Sequence, residues 1–234
     1  MKKMGDVDES AYPFSLPVVR NLDRLKLESN VTFLVGENGT GKSTLLEAMA
    51  INYGLNPEGG SKNFNFFTNS THSELSDHIV LAKGAYLPKD GYFLRAESFY
   101  NVATEVDKLD ADASLLQSYG GRSLHEQSHG ESFMALLMNR FYGNGLYLLD
   151  EPESALSPSR QMALLARMSD LVKQNSQFII ATHSPILLAY PGAQIFVLTE
   201  NEITLTPYEE TEHYVITKQF LNNPDGMLKY LMKE

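Results

Sequence analysis

Eight consecutive residues, Gly36-Glu37-Asn38-Gly39-Thr40-Gly41-Lys42-Ser43, have the types and spacing needed to hold a polyphosphate. Glycines let successive backbone N–H groups turn inward onto phosphate oxygens. A helix opening at the end of such a loop adds a dipole that favours anions. The Lys42 ammonium can reach β- and γ-phosphates, and the Ser43 hydroxyl is a hard oxygen ligand for Mg²⁺. The run fits G-x-x-x-x-G-K-[ST], the P-loop pattern. With Thr44 as the first residue of the following helix, it forms the candidate nucleotide cradle.

Further along, Leu146-Tyr147-Leu148-Leu149 is an apolar run ending in Asp150-Glu151, the Walker B pattern. Asp150 is the expected Mg²⁺ carboxylate, and Glu151 the expected group to orient or deprotonate an attacking water. Thr182-His183-Ser184 follows another apolar run, and a histidine there can hydrogen-bond a γ-phosphate. The other five histidines (His72, His78, His125, His129 and His213) read as ordinary surface or core residues. Gln127-Ser128-His129-Gly130-Glu131 opens a helical run. Ser128 and Gly130 there form either a second anion-attracting helix start or an ordinary serine cap worth about 1 kcal/mol.

These groups need strands that end together. Val31–Val35, Leu146–Leu149, Gln177–Ala181 and Gln194–Leu198 are β-branched or apolar runs and read as buried strands. Glu202–Thr206 reads as an edge strand, as does Tyr12–Val19 with its Pro13 and Pro17. His78–Lys83 and Tyr92–Leu94 read as short strands. Phe14 could stack on a purine, although packing in the core is the preferred reading.

Helices are expected from Thr44 to Ala50 with Gly54 as the stop, and over 98–109, 113–119 and 130–142. In the last of these Phe133, Met134, Leu137, Met138 and Phe141 line one face. Another helix is expected from Pro158 to Lys173 behind a Ser157 cap. Two short ones are expected after Thr211, split at Asn223-Pro224. Gly59–Ser73 reads as a loop pinned by Phe64, Phe66 and Phe67. Strands alternating with helices imply an α/β fold, a mostly parallel sheet covered on both faces, with ligands at the carboxyl ends of its strands.

The composition narrows the classes. The chain has 234 residues, 43% of them hydrophobic, enough for one α/β domain. It has no cysteine, which removes disulfides and thiolate metal sites. No apolar run approaches the roughly 18–20 residues of a membrane span, and no leader is evident, so a cytoplasmic place of action is expected. A net charge of −10 disfavours a general DNA-binding surface.

The order of the motifs over Val31–Leu198, with His183 following Asp150 by 33 residues, resembles the head of ABC-type ATPases. Ser128 and Gly130 match that family's Leu-Ser-Gly-Gly-Gln motif, while His129 and Glu131 depart from it. Ser154-Ala155-Leu156-Ser157 looks like its D-loop. The Asp150-Glu151-Pro152-Glu153 run is similar to RecF- and OLD-like ATPases and to stand-alone predicted bacterial AAA-family ATPases.

The resemblance implies one domain over 1–234, with a helical subdomain at about 98–142 between P-loop and Walker B. It implies Mg-dependent ATP hydrolysis with ATP and Mg²⁺ bound, and catalytic roles for Lys42, Glu151 and His183. It also implies an ATP-dependent homodimer in which Ser128 and Gly130 of one copy cover the nucleotide of the other. The driven partner would be an effector protein or nucleic acid, without direct membrane insertion. The family's Q-loop glutamine is missing, and Glu97 is its best substitute beside the metal. A transporter's nucleotide-binding subunit, a repair or phage-defence module and a non-hydrolysing switch are the alternatives.

Overall fold

A computed structural model describes residues 8–61, 73–96, 99–109, 119 and 121–232. In chain order the elements are α1 (Pro17–Asn21), β1 (Val31–Val35), α2 (Lys42–Tyr53), β2 (Gly60–Ser61), α3 (Leu75–His78), β3 (Asp90–Arg95), α4 (Phe99–Leu109), α5 (His129–Asn139), β4 (Gly145–Asp150), α6 (Pro158–Lys173), β5 (Gln177–Ala181), α7 (Pro185–Leu188), β6 (Gln194–Leu198), β7 (Ile203–Leu205), α8 (Glu212–Asn222) and α9 (Pro224–Met232).

The strands form one sheet in the order β2-β3-β4-β5-β1-β6-β7. Pairing is parallel from β3 through β6, and antiparallel only where β2 meets β3 and β7 meets β6. Alternation along each central strand feeds two cores. Phe33, Tyr147, Leu149, Phe178 and Ile180 point into one, with α4, α5, α6 and α7. Leu34, Leu148, Ile179 and Ala181 point into the other, with α1, α2 and α3. Burying each such aromatic or branched side chain contributes about 1.5–3 kcal/mol. Being covered on both faces explains why β4 reads as an unbroken apolar run rather than an alternating one.

Local chemistry sets the main boundaries. Gly54 takes φ 89° just past α2 and ends it, as its position predicts. The Ser157 side chain caps α6 by accepting from the Arg160 N–H, with Pro158 at the first helical position. In α5, Phe133, Leu136 and Leu137 are buried with Phe141 beyond the helix end, whereas Met138 is exposed.

Two expected strands and one expected loop differ. Tyr12–Val19 is a series of turns leading into α1, because Pro17 starts a helix rather than marking a sheet edge. His78–Lys83 ends the short helix α3 and continues without strand pairing. The sheet edge beside β3 is taken instead by β2, within the segment read as a loop. Residues 113–118 of the expected helix 113–119 and the three phenylalanines at 64, 66 and 67 lie outside the described residues. The α4 and α5 side chains share one core with the sheet. No helix among the described residues is long and apolar enough to cross a membrane.

Candidate functional site

Parallel pairing brings three strand ends level. Ala181 at the end of β5 faces Leu34 of β1 on one side and Asp150 of β4 on the other. The chain leaving β1 is the glycine loop, the chain leaving β4 begins with Glu151, and the chain leaving β5 is Thr182-His183. Residues far apart in sequence therefore meet at one edge of the sheet, where parallel α/β folds bind ligands.

The loop takes its shape from its glycines. A Cβ on Gly36 would collide with the Leu198 carbonyl oxygen, and one on Gly41 with Val18 of α1. Gly41 sits at φ 98° as the N-cap of α2 and has no side chain to satisfy the first-turn amides. Those amides and the dipole behind them fit an anion. Lys42 is buried, and its Nζ donates to the Gly36 and Glu37 carbonyls at 2.7 and 2.9 Å. Burial lowers the Lys42 pKa, while Glu151, Asp150 and Glu153 oppose the shift.

The Ser43 hydroxyl donates to Asp150 Oδ1 at 3.0 Å across 107 residues of sequence. A hydroxyl and a carboxylate beside a phosphate cradle are hard oxygen donors of the kind Mg²⁺ takes together with phosphate and water. No cluster of three or more His, Cys, Asp or Glu suited to a metal occurs among the described residues. Arg95, which sequence reading passed over, ends β3 directly opposite Asp150. Its guanidinium lies 3.8 Å from Asp150 Oδ2 and pairs with Glu47 of α2 at 2.7 Å. Glu97 lies outside the described residues.

Glu151 adopts φ 49°, a left-handed conformation costly for a residue with a side chain, and its N–H donates to the Ala181 carbonyl at 2.9 Å. That bend starts the turn Pro152–Ala155. His183 Nε2 lies 3.8 Å from Glu151 Oε1, beyond hydrogen-bond reach. Glu153 ties the two loops together by accepting the His183 N–H at 2.5 Å, and burial raises its pKa. On the other side of the ring, His183 Nδ1 is 3.2 Å from His213 Nε2 of α8. His213, expected to be an ordinary histidine, thus belongs to this edge. Burial lowers the His183 pKa, with Lys42 acting in the same direction.

At the start of α5 the Glu131 carboxylate accepts from the Ser128 N–H at 3.0 Å and from its hydroxyl at 2.7 Å, a capping box. Ser128 is exposed and Gly130 is buried. A Cβ on Gly130 would collide with the Arg160 guanidinium and lie 2.7 Å from the Ala155 carbonyl oxygen. The helix start therefore rests on the turn that follows Glu151.

Phe14 is in the core, edge-on to His78 at 4.9 Å between ring centres. The aromatic beside the glycine loop is Tyr12, 65% exposed, with its hydroxyl 3.2 Å from Thr44 Oγ1. Only proximity through the turns of 8–15 reveals it; no spacing rule in the sequence does.

The profile described as "AAA domain, putative AbiEii toxin, Type IV TA system" matches residues 93–189, and one described as "AAA domain" matches residues 14–114. An "Uncharacterized ABC transporter ATP-binding protein" of Haemophilus influenzae is 30% identical over 190 residues, covering 74% of this chain and 71% of that one. The "Energy-coupling factor transporter ATP-binding protein EcfA2" of Methanospirillum hungatei is 26% identical, over 82% of this chain and 51% of its own length. A solved "SMC head domain from Thermotoga maritima" overlaps at TM-score 0.43 with 15% identity, over 78% of this chain and 92% of that one. An overlap that loose says nothing about function. The glycine loop, the Asp150-Glu151 strand end and His183 meet at one edge of a parallel sheet, and the Haemophilus influenzae relative is 30% identical over 71% of its own length. The chain belongs to the ABC-type P-loop ATPases.

Proposed function

We propose that this chain binds Mg-ATP on the 36–44 loop and hydrolyses it to ADP and phosphate, working as a pair of copies closed over nucleotide. The observation that carries this reading is the convergence of Lys42, Ser43, Asp150, Glu151 and His183 at one sheet edge.

Each residue has a role its chemistry supports. The Lys42 ammonium and the α2 amides bind the β- and γ-phosphates. Ser43 and Asp150 would hold Mg²⁺, which when bound neutralises phosphate charge; Glu97 is a further candidate ligand. Glu151 takes the proton of the attacking water. His183 donates from Nε2 to the γ-phosphate. The exposed ring of Tyr12 offers a face for adenine. Ser128, exposed at the start of α5, would meet the γ-phosphate on the opposite copy.

The test is light scattering with Mg-ATP and with Mg-ADP. Glu151→Gln keeps the shape and removes the base, so it should accumulate as a dimer on ATP but not on ADP. Adding Ser128→Arg should return it to monomer while nucleotide still binds. If Glu151→Gln gains no mass on ATP and crosslinking at the 128 position finds no contact between copies, the paired mechanism is wrong.

What the closure drives is a matter of partner. The relatives' names favour a second reading, the nucleotide-binding subunit of a transporter. Co-purification of the ATP-locked Glu151→Gln protein with a membrane subunit would support it. The Asp-Glu-Pro-Glu run favours an effector or nucleic acid instead. DNA-stimulated turnover that weakens with salt would support that case.

A further inference from the structure

From the contact between His183 Nδ1 and His213 Nε2, 3.2 Å apart, we infer that His213 is a positioning residue that fixes the tautomer of His183. This makes the C-terminal helix α8 part of the hydrolytic site. The inference rests on the ATPase reading above only for its consequence on turnover.

A neutral imidazole carries one N–H, so in this pair one ring donates and the other accepts. Suppose His183 donates from Nδ1. Its Nε2 then presents a lone pair toward the Glu151 carboxylate 3.8 Å away, and two acceptors face each other. The same choice makes His213 Nε2 the acceptor and puts its own proton on Nδ1. That atom is buried and has no partner among the described residues, so an N–H would be stranded there.

The reverse arrangement removes the facing acceptors and leaves a lone pair rather than an N–H on His213 Nδ1; His183 Nε2 is likewise buried without a hydrogen-bond partner among the described residues, but an N–H there faces the Glu151 carboxylate at 3.8 Å. His213 donates from Nε2, His183 Nδ1 accepts, and His183 carries its proton on Nε2, which faces Glu151. This is the tautomer that can donate to a phosphate oxygen. Both rings are held toward the neutral form chiefly by burial. Lys42 acts in the same direction on both and His183 does so on His213, while Glu151 opposes the shift on His183 and Glu212 and Glu153 oppose it on His213.

The placement is specific to where α8 starts. Thr211 caps the helix by accepting from the Tyr214 N–H. The preceding turn is tied to the residue after Ser184 by the Tyr208 hydroxyl, which donates to the Pro185 carbonyl at 2.9 Å. No residue of α8 or α9 is fully buried, and these contacts at the start of α8 tie it to the site.

The test compares wild type, His213→Leu and His213→Gln by nitrogen-15 NMR of the histidine rings and by steady-state kinetics. Wild type should show the Nε2–H tautomer at His183. His213→Leu should lose that preference and lower kcat by about tenfold, the order seen when a histidine's orienting partner is removed, with ATP and ADP affinities within about twofold. His213→Gln, which keeps an N–H donor, should recover both the tautomer and kcat.

An Nδ1–H tautomer at His183 in wild type would overturn the inference even if the Leu variant failed to fold. So would an unchanged tautomer or unchanged kcat in His213→Leu. A Gln variant as impaired as Leu would assign the effect to packing and overturn it too. Absence of ATP turnover in wild type would count against the hydrolysis reading alone, because the ring spectra still decide the role of His213.

Discussion

The Ser43 hydroxyl and the Asp150 carboxylate are joined by a 3.0 Å hydrogen bond between the first turn of α2 and the end of β4. β4 and β1, the strand from which the loop leaves, are not neighbours in the sheet, because β5 lies between them. The bond therefore measures whether the sheet has brought the loop and the acid into one site. Ser43→Ala and Asp150→Asn should weaken ATP binding by about tenfold with Mg²⁺ present, one charge-assisted contact's worth, and much less in EDTA. Titration calorimetry in the two buffers checks this. An equal loss in both would assign the pair to folding rather than to the metal.

Lys42→Ala removes the ammonium that now bridges the Gly36 and Glu37 carbonyls. Contacts to a charged group are worth about 1.5–3 kcal/mol, so ATP affinity should fall by roughly ten- to a hundredfold. Fluorescent-nucleotide binding reads the change, and unaltered affinity would take Lys42 out of the site.

Tyr12 and Phe14 give a paired prediction. Tyr12→Ala should lower nucleotide affinity by about tenfold, since stacking a base on an aromatic ring is worth about 1–3 kcal/mol, and should leave thermal stability unchanged. Phe14→Ala should cost about 3–5 kcal/mol of stability with affinity retained once folded. The opposite pattern in urea melts and binding assays would return the adenine role to Phe14.

Gly130→Ala should drive α5 away from the turn at 152–156, because its Cβ would meet the Ala155 carbonyl at 2.7 Å and the Arg160 guanidinium. Overpacking of this kind costs about 1–3 kcal/mol. Denaturant unfolding gives the number. A neutral result would mean the helix start is free to shift.

Much of this site was legible because its determinants are local. The glycine loop, the acids ending β4 and the Ser157-Pro158 start of α6 each state their geometry within a few residues. Their order along the chain carried the resemblance that links them. What the sequence did not disclose depends on contacts across the fold. Pro17 can mark a sheet edge or begin a helix, and the close packing of Val18 on Gly41 goes with the second. Ile79 is apolar enough for a strand, but β2 pairs with the edge of β3, and 78–83 makes no strand pairing. Arg95 and Tyr12 act through neighbours far along the chain. His213, isolated in a polar stretch, carries no sequence signal for its place beside His183.

The account depends most on Glu151 as the base for ATP hydrolysis. The direct measurement is phosphate release from Mg-ATP in a single turnover, comparing wild type with Glu151→Gln at matched nucleotide occupancy. General-base catalysis contributes about 10²–10⁴-fold. The Gln variant should therefore hold ATP as tightly as wild type and release phosphate at least about a hundredfold more slowly. Equal rates in the two proteins, or no release from wild type at full occupancy, would contradict it.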